Sequence, residues 1–365
     1  MQLDMHYYGT YAMARAAGLK KEVCETIATA AQFVDDNAEK ESVFFRDGAR
    51  LDAEATAHHT MHLKNLSRED QRQIWVPFHF LPGNEGDSYT QRLVCKKDSE
   101  IAQEMIKYNV ALLNQPFALP LLGIIAHVYA DTFAHYGFSG VSSRHNKIVN
   151  NSIAFHVSLS PDIEKYITDK AKKFVNDYPK EGGLFHNIKS WLAEEVTGAL
   201  GHGAVMTYPD RPFLVWNFVY ENNTDGAHCP VRNNPETYVE FCVKIHEIFQ
   251  RVAKEHPDFA DKAAFIDFSK IESTVKEIIN LQAPKEGRVD AWKKAARNGL
   301  LFGTGQETIP DYDENVWHNN RDNLKRTKDS RVTPGFPVYR FYQAAAVHRI
   351  NILRHILPAK ELIVA

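Results

Sequence analysis

Leu122-Gly-Ile-Ile-Ala-His127-Val-Tyr-Ala-Asp131-Thr-Phe-Ala-His135-Tyr-Gly137 is an apolar run in which a histidine, an aspartate and a second histidine recur every fourth residue. Such a run reads as a buried helix. Residues four apart on a helix stand one above the other, so His127, Asp131 and His135 fall within about 80° of one another. Along the axis they are spread over ~12 Å, with ~6 Å between neighbours. One ion cannot reach all three unless the helix bends, whereas two or three ions sharing the central carboxylate would fit. A hydrogen-bonded polar stripe is the alternative, but three polar groups on an apolar face are costly to bury without partners. The stretch therefore predicts a helical protein built around a multinuclear metal site.

Composition agrees with such a fold and narrows the function. The chain has 365 residues, 44% hydrophobic and 24% charged, with a formal charge of −3. That is an ordinary globular composition, with no basic footprint for nucleic acid or an anionic membrane. A phosphate gripped by metal ions stays open as a substrate group. Histidine is abundant, at 17 residues, and several lie in the first 135. Cys24, Cys95, Cys229 and Cys242 are scattered without a CxxC pair, which predicts free thiols rather than a zinc ribbon or a disulfide framework. The first residues show neither a basic nor an apolar leader segment. Val110 to Ala126, the most apolar run, is broken by Asn114, Gln115, Pro116 and Pro120, so a core helix is expected instead of a membrane span. A cytoplasmic location follows as the expectation.

Most of the chain reads as helix: Thr10–Ala17 and Lys20–Val34 with Gly18 as a cap between them, then Glu54–Leu66, Ser99–Leu113, Leu119–Tyr136, Pro161–Asn176 and Leu184–Leu200. Five more follow at Pro235–Lys254, Lys270–Ile279, Val289–Asn298, Asp313–Lys325 and Val338–Ile356. Ser42–Leu51 suggests a short hairpin around Asp47-Gly48. Ile74–Gly83 reads as extended because of its two prolines, and Asn150–Leu159 as strand or loop. Gly201–Asn234 reads as a long loop, of a kind that is often functional. The fold class is mainly α: one large irregular multi-helix domain with short β-hairpin or loop insertions. It comprises a metal-site core over 1–220 and a helical extension over 221–365.

Further ligand candidates surround the central helix. Asp4 and His6 stand before the first helix. Asp35 and Asp36 end the second, where carboxylates oppose the helix dipole and call for another partner. His79 lies between Phe78 and Phe80, which would face away from it in extended chain; His58, His59 and His62 compete for its role. Glu195 and His202 are seven apart and share a helix face. Asp210 and Arg211 are candidate substrate-binding residues, with a structural ion pair as the alternative. No GxSxG, Walker or GxGxxG motif is present.

The Leu122–Gly137 string resembles the central helix of the zinc-dependent phospholipase C superfamily, to which single-strand-specific nucleases are related. The family signature is His-x3-Asp followed shortly by another His. The resemblance implies an all-helical fold and up to three zinc ions hydrolysing phosphoester bonds. It also implies an early His, an Asp after the next helix and a His before the central helix, in the order of His6, Asp36 (or Asp35) and His79. For the family's later His-x3-Glu, Glu195 and His202 are the local candidates, in reversed order. The chain also resembles bacterial and fungal proteins that share Met5-His-Tyr-Tyr-Gly-Thr10 and Tyr208-Pro-Asp-Arg-Pro212, a resemblance that carries no activity.

Together these readings predict a metal-dependent hydrolase of a small-molecule or lipid phosphoester. Asp131 is its catalytic, bridging carboxylate, and His127 and His135 each hold one ion. Zinc is the first choice of metal, with manganese or iron compatible with the oxygen-rich ligands. The alternatives are a non-catalytic metal-stabilised binding protein and a metal hydrolase or lyase acting on another substrate.

Overall fold

The computed structural model describes residues 1–38, 41–57, 71–149, 152–176, 200–223, 226–327 and 329–364. The chain is mainly α, with two small antiparallel sheets. A π-helical turn, Asp4–Gly9, runs directly into α1 (Thr10–Ala16). Gly18, at φ +92°, then reverses the chain into α2 (Lys21–Asp36). His6 therefore sits inside helical backbone rather than ahead of it. Strands β1 (Val43–Phe44) and β2 (Arg50–Leu51) form the expected hairpin, pairing Val43 with Leu51.

Helices α3 (Glu100–Val110) and α4 (Ala118–His135) follow, α3 capped by the Ser99 hydroxyl, which accepts from Ala102 N. Next come α5 (Pro161–Asn176), α6 (Asn234–Glu255), α7 (Phe268–Ile279), α8 (Lys285–Arg297), α9 (Asn315–Arg326) and α10 (Pro337–Ile350), which continues into a π-helical turn, Asn351–Ile356. Asn233 and Asp267 cap α6 and α7 with side-chain acceptors, as short polar residues do at helix starts.

Three expectations need correction. Gln71–Trp75 and Val76–Phe78 are helical turns, not extended chain; Pro77 stands in the first turn, where its missing N–H loses no helical bond. Residues 54–57 are irregular, so the helix expected from Glu54 does not begin there, and the rest of that segment lies outside the described residues. The Gly201–Asn234 stretch is not all loop. It supplies β4 (Val215–Asn217) and β5 (Arg232–Asn233), which join β3 (Ala154–Phe155) in a three-stranded sheet of order β3-β4-β5.

Helix α4 is the axis of the molecule. It packs along α2 and also touches α3, α6 and α10, which explains why 17 of its residues are buried on every side. Gly123 permits the closest approach: a Cβ there would lie 2.4 Å from both the Ile27 carbonyl oxygen and the Ala30 Cβ. One large buried cluster unites residues from Met1 to Val364, and a second, including Phe80, Phe138, Trp216 and Phe218, lies with the three-stranded sheet. No described helix is long and apolar enough to cross a membrane. All four cysteines are free.

Candidate metal centre

Helix packing delivers most of the site. Contacts step along α2 and α4 together: Gly123 meets Ile27 and Ala30, His127 meets Ala31, and Asp35 lies beside His127. The last turn of α2 thereby reaches the His–Asp–His face of α4. His6 arrives from the Asp4–Gly9 turn, which is anchored by a bidentate bond from Arg288 to Asp4. His79 follows the Val76–Phe78 turn, and His202 and Asp210 come from the chain leading to β4.

Three groups of three donors result, each with its ligand atoms within 4.8 Å of one another: His6, His127 and Asp131; Asp35, His79 and His127; His135, His202 and Asp210. In the second group His79 Nδ1 and His127 Nε2 are 3.2 Å apart, and each lies 3.8 Å from Asp35 Oδ1. In the third, Asp210 Oδ1 is 3.1 Å from His135 Nε2 and Asp210 Oδ2 is 3.7 Å from His202 Nε2. Donors bound at about 2.0–2.1 Å in a tetrahedron stand about 3.3 Å apart, so these spacings suit a metal with little adjustment. Asp131 links the groups. Its Oδ2 is 3.2 Å from both His79 Nδ1 and His127 Nε2, and its Oδ1 is 3.3 Å from His6 Nε2.

The imidazole hydrogen bonds make the stronger argument. A backbone carbonyl only accepts, so a ring nitrogen bonded to one must carry its proton. His127 Nδ1–H donates to Ala31 O (2.8 Å), and His79 Nε2–H donates to Thr56 O (2.9 Å). His135 Nδ1–H donates to His79 O (2.9 Å), and His202 Nδ1–H to Met206 O (2.6 Å). In all four rings the opposite nitrogen then faces the carboxylates, free to take a proton or a metal ion. This is how outer-shell carbonyls orient metal-binding histidines. His6 is more exacting still: it is fully buried, and among the described residues neither ring nitrogen makes a well-aligned hydrogen bond, Nε2 only standing 3.3 Å from Asp131 Oδ1, a costly state for a polar group without a ligand. The donor set fits divalent metal ions.

Electrostatics point the same way. Burial opposes the charge on Asp131, but His135, the Met1 amine and His127 outweigh it and hold the carboxyl well below its usual range. Burial likewise opposes ionisation of Asp210, where the Met1 amine and His202 prevail. Burial and the charge of His127 push His6 down to about 3, and burial drives His202 down to about 4. His6 and His202 are thus poor bases beside anionic carboxylates, a combination that favours a metal over protons, whereas the carboxylates of Asp131 and Asp35 hold His79 above its usual value despite burial.

Not every predicted residue joins the site. Asp35, not Asp36, is the α2 carboxylate beside His79 and His127. Asp36 turns to Tyr312, whose hydroxyl donates to Oδ2 at 2.5 Å, and to Gln32 Nε2 at 3.3 Å. Asp210, read as a substrate contact, belongs with His135 and His202, and no ion pair joins it to Arg211. Glu195, His58, His59 and His62 lie outside the described residues. One participant has no signal in sequence: the nitrogen of Met1 stands 2.6 Å from Asp131 Oδ1 and 3.3 Å from Asp210 Oδ1. Burial works against its charge, but Asp131, Asp210 and Asp35 hold it up at about 11.

Residues 1–356 match the sequence model of DUF6765, a family of unknown function. The chain belongs to that family. The match takes in every donor named above, together with the α2–α4 packing that assembles them. No curated protein and no solved structure matches this DUF6765 chain.

Proposed function

We propose that the protein is a metal-dependent hydrolase of phosphoester bonds, distantly akin to the zinc-dependent phospholipase C superfamily, holding two or three divalent ions. The observation that carries the metal reading is the set of four histidines tied by one nitrogen to a backbone carbonyl while the other faces Asp35, Asp131 or Asp210. An imidazole nitrogen offers one lone pair, so His127 would hold a single ion, while the two oxygens of Asp131, which face His6 on one side and His79 and His127 on the other, could serve more than one. Ions bound there would supply Lewis-acid chemistry, acidifying a water and taking up charge on phosphoryl oxygens. The chain's own share is orientation: the carbonyls of Ala31, Thr56, His79 and Met206 fix the ring tautomers, and Phe80 stacks on His135 with ring centroids 4.8 Å apart. With His127 given to the His6 group, Asp131 beside His79 would stand as the third donor with Asp35, so three protein donors per ion would leave room in a four-coordinate ion for water or substrate, the pattern of catalytic zinc. Asp35 is the most open donor, its side chain 33% exposed against 18% for His202 and 10% for Asp210, so we assign substrate entry to the Asp35 group.

A second reading, a metal-stabilised protein without catalysis, is favoured by the near-complete burial of His6, His127 and Asp131. Metal content and turnover separate the two. The hydrolase reading expects up to one equivalent per donor group in protein purified without added metal. Asp131→Asn should reduce that to one or none and abolish turnover of phosphomonoesters and phosphodiesters. Metal that stabilises the fold without any turnover would leave the second reading. Metal-free, fully folded wild-type protein would defeat both.

A further inference from the structure

Arg211 directly follows Asp210, but the two side chains part. Asp210 meets His135 and His202, whereas the Arg211 guanidinium donates to Thr207 Oγ1 (3.0 Å) and lies over the Tyr166 ring at 5.1 Å. Arg211 is only 3% exposed, and among the described residues its Nε is buried without an acceptor, as is that of Arg232. The other buried arginines are all answered. Arg15 holds Glu307 and Asp261, Arg288 holds Asp4, and Arg232 donates to Ala134 O and Tyr136 O at the C-terminal end of α4. Among the described residues Arg211 alone of these four has no carboxylate or helix end; Tyr166 supports its charge, but Arg288 is close enough to repel it. An unpaired buried charge is strongly unfavourable, and a guanidinium fork matches the two oxygens of a phosphate or carboxylate.

We infer that the buried Arg211, with the exposed Thr207 and the half-buried Tyr166, forms an oxyanion site beside the candidate metal centre that takes a phosphate or carboxylate group of the substrate other than the reacting one. Anion binding stands on the local geometry alone; its assignment to substrate rests on the hydrolase reading. Asp210 N donates to Thr207 O at 3.1 Å, so one tight turn carries both the pocket and a candidate metal ligand. Substrates would then be doubly anionic, and simple neutral-ended esters poor ones.

Inorganic phosphate is the probe, followed by thermal shift and calorimetry on the purified full chain. We expect phosphate to raise Tm equally in the wild type and Asp131→Asn. Arg211→Met should lose the shift, and Arg211→Lys should bind at least about tenfold more weakly, since a lysine offers no fork. If Arg211→Met does not fold, the lysine variant carries the comparison. No shift in the wild type, or a shift lost in Asp131→Asn yet kept in Arg211→Met, would overturn the pocket. Stoichiometric phosphate released from freshly purified, denatured protein would mark a resident ion and overturn the assignment to substrate. Loss of metal binding with the phosphate shift intact would sink the hydrolase reading and leave the pocket standing.

Discussion

Adjacent aspartates at the end of α2 have opposite fates, and the difference is testable. Asp35 reaches His79 and His127, while Asp36 is engaged by Tyr312 and Gln32. Asp35→Asn should therefore lower metal affinity at least 10–100-fold, the loss typical of removing even an outer-shell partner. Asp36→Asn should leave metal content unchanged, measured by elemental analysis of purified protein. Equal losses in the two variants would contradict the assignment. Sequence could not choose between them, because consecutive helical residues point about 100° apart and only the neighbouring α4 decides which direction is inward. By contrast, the spacing of His127, Asp131 and His135 was legible at once, and the structure does place the two histidines in different donor groups.

At the scale of elements, the α2–α4 contact is what positions the donors. A methyl group at position 123 would collide with backbone and side chain of α2. Gly123→Ala should destabilise the fold by about 1–3 kcal/mol, the usual range for overpacking. It should also weaken metal binding, because His127 is one turn further along the same face. Urea denaturation with metal analysis of the same samples checks both; a fully stable variant with normal metal content would show that the helices separate without consequence. Helices were the most legible elements, since their apolar periodicity spans many residues. The turn at Val76–Phe78 was misread because proline opposes a helix interior but suits its first turn. The strands β4 and β5 were missed because two- and three-residue strands carry no measurable alternation.

For the whole molecule, the C-terminal helices close over the same core that carries the candidate metal donors. His348 of α10 donates from Nε2 to Pro77 O (2.8 Å), two residues before His79, and its Nδ1 accepts from Asn109 Nδ2 (3.0 Å). A second proton on the ring would confront the Asn109 amide, whose own oxygen is held by Asn351. Burial, aided by Arg349 and His127, lowers its pKa to about 4. Between pH ~6.5 and ~4 the unfolded chain would hold a proton that the folded one refuses, so stability falls on acidification. The loss should be on the order of 3 kcal/mol across that window. Urea midpoints measured from pH 7 to 4 should fall more steeply in the wild type than in His348→Gln; parallel curves would refute the assignment.

What the sequence determined by itself is the helical class and the buried His–Asp–His stripe on α4, because both are written in local periodicity. Only the tertiary structure decided that Asp35, of the two candidate aspartates, lies beside His79 and His127, that Asp210 joins His135 and His202, and that Arg211 meets no carboxylate among the described residues. Each of these depends on which side chains meet across elements far apart in the chain. A helix fixes the direction of its own residues but not what stands opposite them.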